Sequence, residues 1–207
     1  MSGNESPPIQ VPDIASDAIV ISGPPMSGKY QLLLRLLGAI ADRAIVVSTG
    51  HDAETISEEY QSLTGHDDRS IGVIDCVTRE QRQSVTDTEL RKYASSPKNL
   101  TEIGVKFTEL TEVMDGQDVA VGVHSLSQLL MYWEADRIYQ FTRVLLGQAR
   151  SQGWPVIAVI NPTMHDEQVV HTLVDPFDTV VDTRVSETAR EFRVRNRTSS
   201  PSEWRSF

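Results

Sequence analysis

Apolar and polar positions alternate along this chain in blocks that predict strands and helices in turn. Short apolar runs rich in β-branched residues are typical of buried strands, and apolar positions that recur every three or four residues indicate amphipathic helices. The predicted strands are residues 18–22, 44–48, 71–77, 118–124, 155–161, 178–183 and 191–197. The predicted helices are residues 29–41, 53–63, 79–91, 127–151 and 166–174, with a weaker pattern at 107–115. This alternation predicts an α/β domain with a mostly parallel central sheet and helices on both faces.

The last predicted strand, residues 191–197, has the pattern of a sheet edge. Phe192 and Val194 alternate with three arginines, so the two kinds of side chain fall on opposite faces of the strand. One apolar face and one charged face are typical of an edge strand with a wet side. We therefore expect the sheet to end at this C-terminal strand.

The two ends of the chain differ in composition from its body. Residues 1–13 are rich in proline, serine and other polar residues, which predicts a flexible leader. Residues 14–197 form one predicted domain, which suits a chain of 207 residues. Residues 198–207 are predicted to be a tail, in which Trp204 and Phe207 are the candidate anchors.

The charge balance is acidic, with 29 Asp and Glu residues against 19 Lys and Arg residues and a formal net charge of -10. Such a surface disfavours nucleic acid and anionic membranes, and it is compatible with a high-salt cytoplasm. No apolar run approaches the roughly 18 residues of a membrane span. The single cysteine, Cys76, excludes an internal disulfide and lies in an apolar run, where a buried hydrophobic role is expected. These features predict a cytoplasmic protein without membrane or nucleic acid partners.

A phosphate-binding loop is the most informative motif. The sequence Gly-Pro-Pro-Met-Ser-Gly-Lys-Tyr follows the first predicted strand and opens the first predicted helix. The G-x-x-x-x-G-K pattern needs this context, in which backbone N–H groups and the positive end of the helix face a phosphate. The alternative is an ordinary strand-to-helix turn. The predicted nucleotide-binding residues here are Gly23, Pro24, Pro25, Met26, Ser27, Gly28, Lys29 and Tyr30.

The last position of this motif departs from the usual pattern. Most such loops have Ser or Thr there, because a small hydroxyl ligates Mg²⁺. Tyr30 instead carries its oxygen at the far side of a ring. The loop therefore predicts binding of ATP but not normal placement of Mg²⁺.

Four segments in order resemble the RecA superfamily, most closely its KaiC-like archaeal branch. They are residues 23–30, 47–56, 121–130 and 177–182. Residues 99–104 and 161–167 also look like haloarchaeal members of this superfamily, which agrees with the acidic composition. The resemblance spans roughly residues 15–200 and implies a RecA-like P-loop NTPase fold with ATP as the ligand.

The departures from this family are concentrated at three functional positions. The resemblance matches His124 to the aspartate that ends the Walker B strand and holds the metal shell, and it implies that His124 and Ser125 are nucleotide-binding residues. It matches Gly50 and His51 to paired glutamates that activate water. With Tyr30, metal binding and water activation are altered together, so slow hydrolysis is expected. His51 is the one candidate general base, and its alternative role is that of a capping or solvated residue.

Two further sites follow from the resemblance. Asn161 ends the fifth principal strand, where RecA-like proteins place a polar residue that senses the γ-phosphate; its alternative role is the Asn-Pro turn that it forms. Arg195 and Arg197 resemble a Lys-x-Arg pair that reaches the phosphates of a neighbouring subunit, which implies a homo-oligomer. Their alternative role is to solvate an edge strand.

Three functions remain open from sequence. The first is a regulatory or signalling protein that binds nucleotide, acts on a protein partner and has lost efficient hydrolysis. The second is an active ATPase with rearranged metal and base groups. The third is an interaction adaptor that binds no ligand. Fold resemblance does not decide among them.

Overall fold

The structure, a computed structural model, describes residues 17–81, 84–187, 189–197 and 200–207, so the predicted leader lies outside the described residues. The strands are β1 (Ala18–Ser22), β2 (Arg43–Ser48), β3 (Ile71–Asp75), β4 (Arg91–Tyr93), β5 (Val119–His124), β6 (Val156–Ile160), β7 (Thr179–Val185), β8 (Arg190–Asn196) and β9 (Arg205–Ser206). The α-helices are α1 (Lys29–Ile40), α2 (Ala53–Thr64), α3 (Leu100–Val113), α4 (Leu126–Leu129), α5 (Ala135–Ser151) and α6 (Glu167–Val174). None of these helices combines the length and apolarity needed to cross a bilayer.

The strands form one sheet in the order β4-β3-β2-β5-β6-β1-β7-β8-β9. Every pairing from β4 to β7 is parallel, and β8 and β9 are added antiparallel. The predicted α/β class with a mostly parallel sheet is therefore confirmed. The carboxyl ends of β1, β2 and β5 lie at one edge of this sheet, which is where ligands bind in such folds.

Helices cover both faces of the sheet, and each face has its own apolar core. On one face α1 and α2 bury a leucine-rich cluster that includes Leu33 and Leu37. A Cβ added to Gly122 of β5 would lie 2.8 Å from Leu37, so this glycine allows α1 to approach the sheet closely. On the other face α3, α5 and α6 pack on the sheet around residues such as Phe107 and Leu146.

The predicted helix at 79–91 is wrong. The described part of this segment forms turns and irregular backbone, followed by the short strand β4. Its sequence has only two large apolar residues, Val85 and Leu90, so it offers no stripe to bury against the sheet. Its start is held instead by Asp75, whose carboxylate accepts hydrogen bonds from the N–H groups of Val77 and Thr78 at 2.8 and 2.9 Å.

Two other helices have different bounds from those predicted. The long helix at 127–151 divides into α4 and α5, because residues 130–134 form a turn. The weak pattern at 107–115 belongs to a longer helix, α3. Asn99 caps α3 by accepting a hydrogen bond from the N–H of Glu102 at 3.1 Å, and this cap supplies the start that the apolar pattern alone did not reveal.

The C-terminal strand has the predicted faces but not the predicted edge position. Phe192 and Val194 are buried, whereas Arg195 is exposed. The strand β9 pairs with β8 and takes the edge. Beyond it, Phe207 packs edge-on against Phe192 with ring centroids 5.9 Å apart, and Trp204 lies under the guanidinium of Arg184 at 4.1 Å.

Candidate functional site

The loop between β1 and α1 is shaped by two glycines that could not be replaced without strain. A Cβ added to Gly23 would lie 2.0 Å from the Oγ1 atom of Thr183 on β7, so the loop leaves the strand in close contact with its neighbour. Gly28 has φ 80, the left-handed region that favours glycine, and it is the N-cap of α1. Met26 is also left-handed, with φ 62, and is 84% exposed.

Ser27 and Lys29 close the inside of this loop. The hydroxyl of Ser27, which is fully buried, donates to the Pro24 carbonyl at 2.8 Å and shares a 2.7 Å hydrogen bond with Thr183. The ammonium of Lys29 also donates to the Pro24 carbonyl. Pro24 and Pro25 have no N–H to offer a ligand, and the N–H of Ser27 donates to the Pro24 carbonyl at 3.4 Å, so the remaining N–H donors of the loop are those of Met26, Gly28 and the first residues of α1.

The electrostatics of the loop favour an anion. Burial lowers the pKa of Lys29 from 10.5 to about 8. No salt bridge to a carboxylate offsets this burial within the described parts of the chain. The positive end of α1 points into the same loop, and no acidic residue lies in its first turn. A bound phosphate would supply the missing counter-charge.

The three positions that depart from the RecA pattern are brought together in space. Tyr30 at the start of α1 stacks on His51, with ring centroids 4.6 Å apart and planes 18° apart. The ring of His124 lies 4.8 Å from that of Tyr30 and 5.3 Å from that of His51. We call these three side chains the aromatic triad. It lies directly beside the loop, because Lys29 precedes Tyr30 and influences His124 electrostatically.

His124 is held as a neutral imidazole. Its Nδ1 atom is buried and has no hydrogen-bond partner among the described residues. Burial lowers the pKa of His124 from 6.5 to about 3, and its electrostatic interactions with His51 and Lys29 lower it further. A neutral ring at the end of β5 therefore replaces the carboxylate that a RecA-like ATPase is expected to have there.

Tyr30 fills the site rather than presenting its hydroxyl to it. Its ring packs against the α1–α2 core, and its buried Oη atom lies by the Glu59 carboxylate without a hydrogen bond of good geometry in the described residues. Burial raises the pKa of the Tyr30 phenol, and the carboxylate of Glu59 on α2 raises it further. The phenol therefore stays protonated and does not supply an anionic ligand.

The strand ends of β2 and β5 are joined by a polar network around Thr49. Its Oγ1 atom is 2.6 Å from Gln128 Oε1 and accepts a hydrogen bond from the N–H of Ser125 at 2.8 Å. Ser125 also caps the short helix α4. A Cβ added to Gly50 would lie 2.4 Å from Gln128 Nε2, so Gln128 occupies the space that a side chain at position 50 would need.

His51 is positioned by a tight turn at the end of β2. The hydroxyl of Ser48 accepts from the N–H of His51 at 3.1 Å and donates to its carbonyl at 2.5 Å. The capping alternative is wrong, because Asp52 is the N-cap of α2 and accepts from Thr55 at 2.9 Å. The ring of His51 instead stacks in the aromatic triad.

Asn161 lies at the end of β6 with its side chain engaged. Its Oδ1 atom accepts hydrogen bonds from the N–H and hydroxyl of Thr163 at 3.2 and 2.8 Å, which caps a 3-10 turn at Pro162–Met164. Its own N–H donates to Ser127 at 2.8 Å. These bonds fit the Asn-Pro turn, and a role in sensing phosphate stays a prediction.

Arg195 and Arg197 make bonds within the chain. Arg195 forms a two-pronged ion pair with Asp182 on β7, at 2.6 and 2.8 Å. Arg197 donates to the carbonyls of Asp175 and Phe177 at 2.5 and 3.4 Å. Arg197 therefore lies at the opposite end of β7 from the loop, whereas the guanidinium of Arg195 reaches Asp182, the register partner of Ser22 at the carboxyl end of β1.

Sequence reasoning missed two residues that lie on the loop. A Cβ added to Gly28 would lie 2.8 Å from the side chain of Arg190 and 3.0 Å from the ring of Phe207. Arg190 is on the same side of β8 as Phe192, because residues two apart in a strand share a face. This periodicity could have found Arg190, whereas nothing in the local pattern indicates that Phe207 returns to the loop.

Comparison with known proteins identifies the family. The sequence profile of a family of unknown function, DUF7504, matches residues 16–183. The chain belongs to this family. No curated protein sequence matches it.

Solved structures share the fold of this DUF7504 chain. The uncharacterized protein PH0321 from Pyrococcus horikoshii, crystallised in complex with an unknown peptide, has a TM-score of 0.65 at 10% identity, with 94% of each chain covered. The flagellar accessory protein FlaH from Methanocaldococcus jannaschii has a TM-score of 0.52 at 15% identity, over 88% of this chain and 78% of FlaH. Both are archaeal, and the likeness shows that the chain has a RecA-like fold.

The residues of this DUF7504 chain fit phosphate better than metal. The glycines, the helix N-terminus and Lys29 provide a cradle for an anion. In contrast, the described residues contain no group of three or more His, Cys, Asp or Glu side chains that could hold a metal ion. Tyr30 and His124 present a protonated phenol and a neutral imidazole, which are poor partners for Mg²⁺ because that ion prefers carboxylates and small oxygen ligands. These two side chains therefore fit the usual magnesium site poorly.

Proposed function

We propose that this chain is a nucleotide-binding regulatory protein that binds ATP in the loop at residues 23–30 and hydrolyses it very slowly. One observation carries the proposal. A phosphate loop with its glycines and lysine in place lies against the aromatic triad, which occupies the three positions that serve metal and water in RecA-like ATPases.

The case for binding rests on Lys29. Its ammonium is desolvated enough to lower its pKa to about 8, and it donates only to a backbone carbonyl among the contacts seen in the described chain. An anion at this point would satisfy Lys29 and the unpaired N–H groups of α1 at once. In the free protein this arrangement costs stability, which is typical of a site built for a ligand.

The case against fast hydrolysis rests on charge and space. Phosphoryl transfer needs a cation to neutralise developing charge and a group that orients water. His124 is neutral and Tyr30 is protonated, so neither holds Mg²⁺ well. Gln128 fills the space beside Gly50, so a glutamate at position 50 would have to displace the end of the Gln128 side chain. His51 is the remaining candidate base, although its ring is stacked on Tyr30.

The proposal also includes a homo-oligomer and a haloarchaeal type of protein. Arg197 lies at the opposite end of β7 from its own loop, and Arg195 is exposed beside Asp182, so the proposed role of this pair is a contact with the nucleotide of a neighbouring subunit in a head-to-tail assembly. Arg195 would have to exchange Asp182 for that phosphate. The acidic composition and the motifs at 99–104 and 161–167 support a cytoplasmic, KaiC-like protein of haloarchaeal type.

A second candidate function is that of an adaptor for other proteins. PH0321, which shares the fold, was crystallised with a peptide. In this chain Arg190 and Phe207 crowd the loop at Gly28, and Lys29 already has a hydrogen-bond acceptor. These contacts favour a loop that needs no ligand, and the test of ATP binding separates the two candidates.

The test is calorimetric titration of ATP into wild type, Lys29→Ala and the control Lys98→Ala. Loss of a charge-assisted hydrogen bond costs about 1.5–3 kcal/mol, so Lys29→Ala should weaken binding by roughly 10- to 100-fold. Lys98 is exposed and far from the loop in sequence, and its loss should leave the affinity unchanged. Equal affinity in wild type and Lys29→Ala would refute ATP binding at this loop and favour the adaptor.

Light scattering on the same samples tests assembly. ATP should increase the mass of wild type and not that of an Arg195→Ala/Arg197→Ala variant. A variant that assembles as well as wild type would return these arginines to a purely structural role at the sheet edge.

A further inference from the structure

A groove with apolar walls runs between α3 and α5, on the face of the sheet opposite α1. Its volume is about 670 Å³. Its apolar walls are formed by Leu100, Phe107, Trp133, Phe141, Val144 and Leu145. Val144 is 69% exposed, so this part of the apolar wall is open to solvent.

The groove is preformed. At one end the indole N–H of Trp133 donates to the carbonyl of Lys98 at 3.1 Å, and at the other the amide of Gln148 donates to the hydroxyl of Thr108 at 3.0 Å. These bonds tie the two helices together at a fixed spacing. Between them, a Cβ added to Gly104 would meet no heavy atom within 4 Å, so the middle of the groove is empty space over a glycine.

The charge of the groove is opposite to that of the chain. Among the residues that the structure describes, Lys98 and Arg137 are the charged ones that line it, although the net charge of the chain is -10. Lys98 lies over the ring of Tyr132 at 5.0 Å and Arg137 over that of Trp133 at 5.7 Å. Neither cation forms a salt bridge with a carboxylate in the described parts of the chain.

The amino ends of α3 and α5 add partial positive charge at the end of the groove near Lys98 and Arg137. Each helix leads into a parallel strand of the same sheet, α3 into β5 and α5 into β6, so both run in the same direction. Their amino ends, which carry partial positive charge, lie beside Lys98 and Arg137. Glu134 and Asp136 are close in sequence but do not line the groove.

We propose that this groove binds an amphipathic helix of a partner protein, with an apolar stripe along the walls and acidic residues at the end near Lys98 and Arg137. Grooves between helices bind such segments through apolar anchors spaced three or four residues apart. From Arg137 to Gln148 the rise of α5 is about 16 Å, which matches a helix of about three turns. The unpaired cations select an acidic helix over a basic one.

The groove offers two matched variants. Gly104→Leu places a side chain in the empty middle of the groove. Gly147→Leu makes the same change on the exposed side of α5, where an added Cβ also meets no atom within 4 Å. Leucine is a better helix former than glycine, so both variants should fold at least as well as wild type. If Gly104→Leu does not fold, Val144→Asp blocks the same wall with a charge that repels an acidic helix.

The test is selection of 14-residue helix-forming peptides from a displayed library on the full chain, followed by fluorescence anisotropy of the enriched peptides. We expect them to share apolar residues at helical spacing and acidic residues at one end. Binding should weaken at least tenfold in Gly104→Leu and in Lys98→Glu/Arg137→Glu, and it should not change in Gly147→Leu. ATP binding should be unaffected in Gly104→Leu, because the groove and the loop are separate sites.

Several results would overturn the proposal. They are failure of any peptide to enrich, enrichment of basic peptides, and equal binding by wild type and Gly104→Leu. A wild type that dimerises in light scattering while Gly104→Leu stays monomeric would show that a second copy of this chain occupies the groove instead of an acidic partner.

Discussion

The loop after β1 and the strand ends of β2 and β5 lie side by side, yet only the loop keeps the residues that ATP chemistry requires in RecA-like proteins. The loop has its two glycines, its lysine and a free helix N-terminus. Across from it, Tyr30, His51 and His124 pack against one another with ring centroids 4.6–5.3 Å apart. Under the proposed function, binding a phosphate and placing a metal are separable demands on neighbouring residues.

The aromatic triad also shows how one change makes room for another. Tyr30 projects a ring where a small hydroxyl would stand, and flat partners at positions 51 and 124 accommodate that ring. A carboxylate at 124 beside the buried phenol and the Glu59 carboxylate would add a like charge. The three departures therefore act as a unit, and experiments on them should show non-additive effects.

The largest expected effect is the loss of stability in acid, which should come from His124 in the aromatic triad and not from the loop. The pKa of His124 is about 3 in the folded chain and about 6.5 when unfolded. The neutral ring therefore supports the full free energy of unfolding above pH 6.5, and part of that free energy is lost as the pH falls towards 3. The slope for one proton is about 1.4 kcal/mol per pH unit, or roughly 2 kcal/mol between pH 6.5 and 5. Denaturant unfolding of His124→Phe should show a shallower pH dependence than wild type by this amount.

The matched control for that experiment is His171→Gln, which removes a histidine whose side chain is 74% exposed. Its pH dependence should follow that of wild type. Identical slopes for wild type and His124→Phe would show that His124 is not held neutral by burial.

Restoring the residue types that RecA-like ATPases use for metal and water should raise the rate of ATP hydrolysis. Tyr30→Thr, His51→Glu and His124→Asp together return a hydroxyl and two carboxylates to the strand ends, and phosphate release should increase at least about 10-fold in Mg²⁺, since such groups stabilise the transition state strongly. A second variant that adds Gln128→Ala frees the space beside Gly50. No gain in either variant would mean that the triad is not what limits hydrolysis.

The affinity for ATP should depend on pH through the loop alone. Because the pKa of Lys29 is about 8 in the free protein and a bound phosphate raises it, binding is strongest below pH 8 and weakens above it. The loss approaches tenfold per pH unit above that value. Calorimetry at pH 7, 8 and 9 measures it, with Lys29→Ala as the flat reference. If the ATP affinity of wild type were as independent of pH as that of Lys29→Ala, Lys29 would not contact the bound phosphate.

Much of the fold follows from the sequence because its signals are local. Runs such as residues 18–22 and 44–48 are apolar and β-branched, and the leucines of α1 repeat at helical spacing. The predicted helix at 79–91 is wrong because the segment has no apolar stripe to pack against the sheet. The break in the predicted helix 127–151 was not predicted for a different reason. The turn at residues 130–134 that separates α4 from α5 contains no proline or glycine to mark it in the sequence.

The site was predictable residue by residue but not as an arrangement. The sequence pointed to Tyr30, His51 and His124 separately, through three departures from one family pattern. Their contact depends on the order of β1, β2 and β5 in the sheet, which sequence spacing does not fix. Phe207 was missed as a neighbour of Gly28 because a long-range return of the chain leaves no local pattern.

The most direct test of the central claim is the affinity of wild type for ATP with and without Mg²⁺. If the aromatic triad has replaced the metal site, Mg²⁺ should change the dissociation constant by less than about twofold, whereas a tenfold change corresponds to 1.4 kcal/mol of metal coupling. Tight binding that is indifferent to Mg²⁺, together with negligible phosphate release, is the predicted result. ATP binding that tightens tenfold or more with Mg²⁺, with rapid phosphate release, would contradict the account.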